Sequence, residues 1–296
     1  MTDYISVVRN KLRIRNDLMR CVLAEFMGTA FLLFAGTSVN AAQLLSGNDC
    51  KICVIFGWSF AIGIAALSVV HLSGGHLNPA ISFAFYLCGQ ISAHRFMMYS
   101  IAQISGSFVG SLTTFILYYD GIVHFDGGER QTLGPNATIG IFVPWPQEYL
   151  SISSCIFDQF VGTAFLSFCV MMFANPRNKI PTVAQPAILS LVIFLISVCM
   201  SANAGGEVNP ARDVGPKLMA IIVGYDWSIF SYRNYKWFWI PIFVPFAGAA
   251  FGAWLYFLTL GIHITDDHDH RKVHDSMQMN EVSRVTIGNS RIAIMR

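Results

Sequence analysis

Charge is what this sequence is short of. Only 12% of its 296 residues are Asp, Glu, Lys or Arg, roughly half the share of about 25% found in soluble domains. Hydrophobic residues make up 54%, more apolar surface than one soluble core of this length could hide. The acidic and basic residues that exist sit mostly at the termini and between apolar runs, several of which approach the ~20 residues a spanning helix requires. A soluble module is excluded. The reading is an all-α membrane protein.

Other absences narrow the activity. The apolar runs hold no nucleophile–base pair, metal cluster or paired acids, and the chain lacks a GK[ST] phosphate loop. No enzyme chemistry, cofactor, metal or nucleic-acid partner is therefore expected. Coupled transport would need ion-binding or proton-relay acids at depth, and Glu25 is thin support for that. The seven cysteines are an odd number, five of them (Cys21, Cys88, Cys155, Cys169, Cys199) in apolar runs. Cys50 and Cys53 form a lone CxxC for which no redox or metal partner is visible. The first apolar run, from Cys21, has no small-residue cleavage pattern and reads as the first span.

Six spans are expected, at about 20–42, 53–72, 96–119, 154–174, 185–203 and 237–262. Two shorter apolar pieces, roughly 78–88 and 209–220, are each about half a bilayer long. Both begin with Asn-Pro-Ala: Asn78-Pro79-Ala80 and Asn209-Pro210-Ala211. The chain also repeats itself. CVLAEFMGTAFL from Cys21 matches CIFDQFVGTAFL from Cys155, and GGHLNPA from Gly74 matches GGEVNPA from Gly205. Each half holds three spans and one half-helix. Because three is odd, the halves are inverted, an arrangement that places a site at the midplane.

The residues divide as a cytoplasmic arm (1–19), a channel domain (20–262, with repeats at about 20–119 and 154–262) and a cytoplasmic, disordered tail (263–296). Arg9, Lys11, Arg13, Arg15 and Arg20 precede the first span, and Arg271 and Lys272 follow the last. Arg95, Arg177 and Lys179 fall on the same side, which the positive-inside rule makes cytoplasmic. The sequon at Asn136 falls on the opposite side, where it could be glycosylated. A His/Asp/Arg cluster at 266–275 reads as a solvated tail.

Asparagine is a preferred helix N-cap and proline suits the first helical position. Each motif therefore starts a helix inside the membrane. The Asn oxygen caps its own helix and leaves the NH2 free, so two caps meeting back to back would offer two donors to a permeating solute. Two N-termini also aim about +0.5 charge each at that point, repelling protons and cations. The preceding segments, with Gly74, Gly75 and His76 in one and Asn203, Ala204 and Gly205 in the other, must be irregular. Irregular backbone at this depth has to line a wet cavity, where its carbonyls would form an acceptor ladder. Arg212 follows the second motif, where the first has Ile81, and is expected to narrow the pore mouth and donate to solutes. Spacing alone leaves Trp58 open between pore and lipid.

Paired NPA motifs in an inverted repeat, flanked by AEFMGTA and SGGHLNPA, resemble the major intrinsic protein (aquaporin) family over about residues 20–262. The run NPARDVGPK resembles that family's glycerol-conducting branch through Asp213 and Lys217, as does the pair Pro241-Ile242. The resemblance implies a passive channel for glycerol, small neutral solutes such as urea, and water. It further implies a homotetramer in a lipid bilayer, by default the plasma membrane; a water-selective channel is the alternative. Counted without gaps, the family's filter falls on Trp58, Ser197, Gly206 and Arg212. Trp58 and Arg212 match the glycerol pattern. Gly206 stands where an aromatic is common, which implies a wider, one-walled filter with Trp58 on the solute's carbon side and Arg212 on its hydroxyls. Glu25 resembles a buried glutamate that accepts from an NPA loop, and its counterpart Gln159 could serve likewise. His76 should line the cytoplasmic vestibule, where it could make permeability pH-sensitive. The pairs Gly106/Gly110 and Gly248/Gly252 would permit close helix contact, within or between subunits.

Overall fold

The computed structural model describes residues 3–265; the 266–275 cluster lies outside them. The described residues form helices and loops without a strand. Helix α1 (Tyr4–Leu12) precedes α2 (Asp17–Ser46), α3 (Lys51–Ser73), the short α4 (Pro79–Leu87), α5 (Ala93–Leu117) and α6 (Tyr119–Asp126). The second half holds α7 (Ile152–Ala174), α8 (Gln185–Met200), the short α9 (Pro210–Ile222), α10 (Ser228–Ser231) and α11 (Ile240–Thr259). Six helices are long and apolar enough to cross a membrane: α2, α3, α5, α7, α8 with its preceding turn, and α11. The arm before them carries α1.

The two halves pack alike. Helix α5 lies against α2, and α11 against α7. Small residues allow both contacts. A Cβ on Gly106 or Gly110 would stand 2.2 Å from the carbonyl oxygen of Phe26 or Ala30, and one on Gly248 or Gly252 would stand 2.4 or 2.0 Å from that of Phe160 or Ala164. Both glycine pairs therefore serve contacts inside one chain.

Polarity is inverted relative to a soluble fold. Phe60, Ile101, Leu191, Phe243 and Leu258 are exposed on the outside, whereas Glu25, Gln103, Thr114, Ser167 and Asp213 are buried within. A lipid solvent makes the apolar exterior stable, and internal hydrogen bonds engage buried groups such as Glu25, Thr114 and Ser167.

The 120–153 connection folds back onto the bundle. Asp126 pairs with Arg130 at 2.6 Å and accepts from Thr138, and Thr138 meets the Tyr225 hydroxyl at 2.7 Å. Burial pushes the Tyr225 phenol up to about 12, so it stays a neutral partner. Asn136 is exposed while Thr138 of the same sequon is buried. Cys50 and Cys53 are joined to each other in a disulfide at the start of α3.

Candidate functional site: a channel between two half-helices

The two short helices begin as their sequences require. Asn78 Oδ1 accepts from the Ala80 N–H at 2.8 Å, and Asn209 Oδ1 from the Ala211 and Arg212 N–H groups at 3.0 and 3.4 Å. Proline follows each cap. The caps are also cross-linked. Asn78 Nδ2 donates to the Val208 carbonyl at 2.8 Å, and Asn209 Nδ2 to the Leu77 carbonyl at 2.9 Å. This corrects the expectation of free amides. One N–H of each binds the opposite loop, and only the second is left for a solute, since an amide carries two.

The cross-link depends on backbone that the sequence did not advertise. Leu77 and Val208 both have positive φ, 50° and 36°, uncommon for any side chain and an outlier for a β-branched one. Gly74, Gly75, Gly205 and Gly206 are left-handed as well. Glycine at 206 adopts its φ of 73° without the steric cost a side chain would carry, a reason for glycine beside that of a missing aromatic wall.

A cavity of about 720 Å³ passes between the half-helices. Asn48, Pro144 and Trp145 line one end, both motif asparagines line the middle, and Phe173, Ala174 and Gln185 line the other. Because successive spans alternate in direction, loops 47–50 and 175–184 lie on opposite faces, so the cavity traverses the bundle. Gly74, Gly75, His76, Ala204 and Gly205 line it, as do Trp58, Ser197, Gly206 and Arg212. Asn203 does not. Its carbonyl instead accepts from the Gln147 N–H at 3.3 Å, because the chain turns immediately after α8 and directs Asn203 toward the 120–153 connection.

Trp58 faces the channel rather than lipid and is fixed on two sides. Its indole N–H donates to Asn40 at 3.0 Å, and a Cβ at Gly36 would stand 2.4 Å from its ring. The Arg212 guanidinium lies 4.8 Å from the ring centroid, within cation–π range. Trp58 and Arg212 therefore touch along the channel. Arg212 also donates to the Phe142 carbonyl at 3.0 Å and lies 2.7 Å from Glu207 Oε2. Neither Phe142 nor Glu207 was singled out from the sequence. Phe142 carried no signal there, but an acid two residues before an NPA motif could have been flagged.

The loops are braced differently. Glu25 accepts from Ser73 Oγ at 2.5 Å, the His76 and Leu77 N–H groups at 3.0 and 2.7 Å, and Gln103 at 2.8 Å. Gln159 does not play the matching part. Its Nε2 donates to Asp158 at 3.2 Å and its Oε1 has no partner, while Asp158 is the side chain beside Asn203 and the Ala204 backbone. A one-residue displacement along α7 moves the acceptor from the expected position to its neighbour. His76 packs on Phe85, ring centroids 4.2 Å apart, with Nδ1 3.1 Å from Ser82 Oγ. Asp213 and Lys217 form a buried pair at 2.7 Å, one helical turn apart and off the channel. Pro241 and Ile242 begin α11 and do not line the cavity.

An inverted bundle of six spans, with two half-helices abutting in a continuous cavity, defines an integral membrane channel protein. The chain belongs to the major intrinsic protein family, whose model matches residues 13–256. It is 35% identical to Aquaporin-9 of Homo sapiens over 258 residues, 86% of this chain and 87% of that protein. It is 34% identical to Aquaporin-10 of Homo sapiens over 260 residues, 86% of each. Aquaporin-2 of Milnesium tardigradum is 35% identical over 283 residues, 94% of this chain and 87% of the relative. The X-ray structure of the aquaglyceroporin from Plasmodium falciparum shares the fold, with a TM-score of 0.73 at 23% identity over 81% of this chain and 95% of that one.

Proposed function

We propose that the protein is a passive channel for glycerol, similar small neutral solutes such as urea, and water, and that it excludes ions and protons. The observation that carries this reading is the traversing cavity with two capped helix N-termini at its middle. Each cap retains one amide N–H for a passing oxygen, and the helix dipoles oppose cations there. Glycine at position 206, with no side chain to close the filter, supports a solute wider than water. The Asp213–Lys217 and Pro241–Ile242 pairs resemble the glycerol branch, and kinship with aquaporins supports passive flux.

In this reading, residues 1–19 are a cytoplasmic arm, 20–262 the channel and 263–296 a cytoplasmic tail. Four copies assemble in the plasma membrane, each with its own pore. The basic residues near the span ends support this orientation. So does the Cys50–Cys53 disulfide on the opposite face, since disulfides persist in oxidising compartments.

The test is light scattering from proteoliposomes after a glycerol gradient. Shrinkage followed by re-swelling faster than in empty liposomes is the expected result. Fast water exit without re-swelling would make the channel water-selective.

A further inference from the structure

We infer that the N-terminal arm is a binding site for anionic phospholipid, with α1 lying on the headgroup layer of the bilayer that holds the channel. This binding is independent of what the channel conducts. Successive residues of an α-helix are turned by about 100°, so Tyr4, Ile5, Val8 and Leu12 fall on one face of α1. Arg9 and Lys11 stand at the two edges of that face, and Ser6 and Asn10 lie opposite. An apolar stripe with a basic residue at each border suits a helix lying in a membrane interface, its cationic side chains reaching the headgroups.

Among the described residues nothing covers this face. No residue of α1 is buried, and Tyr4, Ile5 and Leu12 are 80, 78 and 75% exposed. A short helix with no packed face is marginal in water, even though Asp3 caps it by accepting from the Ile5 N–H at 3.1 Å. The tether points to what covers it. Only residues 13–16 separate α1 from α2, a reach of about 14 Å. Met19, Leu23 and Met27 of α2 are exposed on the outside of the bundle, so its apolar exterior begins within a turn of Asp17. The bilayer surface is therefore within reach of α1.

Charge selects the lipid. Arg9, Lys11, Arg13, Arg15 and Arg20 crowd the arm, against Asp3 and Asp17 as its acids. Asp17 is already engaged, 2.6 Å from Arg20 and 2.5 Å from Arg95. Arg9, Lys11, Arg13 and Arg15 pair with no carboxylate among the described residues. Asn10, Arg13, Arg15 and Arg20 surround a hollow of about 280 Å³. Guanidinium forks take phosphate oxygens two at a time, and basic clusters beside a span attract anionic headgroups. A zwitterionic headgroup brings its own cation with its phosphate, so a net-anionic lipid such as phosphatidylserine gains most.

The experiment follows amide hydrogen exchange over residues 4–12 of the full-length protein, held in nanodiscs of phosphatidylcholine with or without phosphatidylserine. Exchange should be slower with phosphatidylserine, and added salt should shrink the difference by screening. A basic residue near an anionic surface is worth about a fivefold change in occupancy. Arg13→Gln/Arg15→Gln should therefore remove most of the slowing. Val8→Asn, at the centre of the apolar face, should speed exchange in both lipids. Equal wild-type exchange in the two lipids would overturn the inference. Slowing that survives the double arginine change, or a Val8→Asn variant that exchanges like wild type, would overturn it as well. If inorganic phosphate slowed exchange in phosphatidylcholine discs as much as phosphatidylserine does, the arm would be a site for soluble anions, and the inference would fail.

Discussion

Replacing Glu25 tests how the first half-helix is held. Its carboxylate receives four donors, two of them backbone N–H groups of the loop before Asn78. Glu25→Gln keeps one acceptor oxygen but turns an NH2 toward groups that are themselves donors. Leaving a buried donor unmatched costs about 1–3 kcal/mol. With a shift of about 2–4 °C per kcal/mol for a chain approaching this size, a cost near 2 kcal/mol lowers Tm by about 4–8 °C. Glu25→Ala strips both backbone groups and costs about 2–6 kcal/mol. Gln159→Leu, the matching change in the second repeat, removes a single 3.2 Å bond to Asp158, about 1 kcal/mol. Thermal unfolding of the purified protein in detergent measures all three, and the glycerol flux of the survivors measures the pore. An unaltered Tm for Glu25→Gln, or a Gln159→Leu shift as large as that of Glu25→Ala, would refute the reasoning.

Other outcomes follow from the same geometry. Lys217→Met should strand Asp213 as an uncompensated buried charge and cost about 3–5 kcal/mol, whereas the double change Asp213→Leu/Lys217→Met should recover most of the loss; unfolding yields decide it. Gly252→Val should abolish folded protein in size-exclusion chromatography, because a Cβ there would stand 2.0 Å from the Ala164 carbonyl oxygen. Trp58→Ala should remove the wall that covers Arg212 and admit polyols larger than glycerol, read as faster re-swelling with five-carbon polyols. In intact cells, a membrane-impermeant thiol reagent should label Cys50 and Cys53 only after external reduction. Labelling that requires permeabilised cells would reverse the orientation.

Much of the fold was legible because lipid imposes long apolar runs and because the repeat is written twice. The expected spans differ from the helices by only a few residues at their ends, and both half-helices begin at the Asn-Pro step, since N-cap and N1 preferences are local. The filter was less legible. Counting from each motif placed Trp58, Ser197, Gly206 and Arg212 along one cavity, but could not say that Trp58 and Arg212 touch or that Phe142 and Glu207 hold the arginine. Those contacts join residues 58, 142, 207 and 212, and no periodicity connects them. Asn203 was assigned to the pore by analogy with the first loop, whereas the turn after α8 carries it away.

The sequence by itself therefore determined the membrane class, the inverted repeat and the place where two helices start, because each follows from local chemistry or internal similarity. Only the tertiary structure decided how the loops lock. Leu77 and Val208 adopt left-handed backbone so that each asparagine can reach across to the other repeat, and Asp158, not Gln159, stands beside the second loop. Such choices depend on which donors and acceptors are brought within about 3 Å of one another, and only the packed bundle brings those groups together.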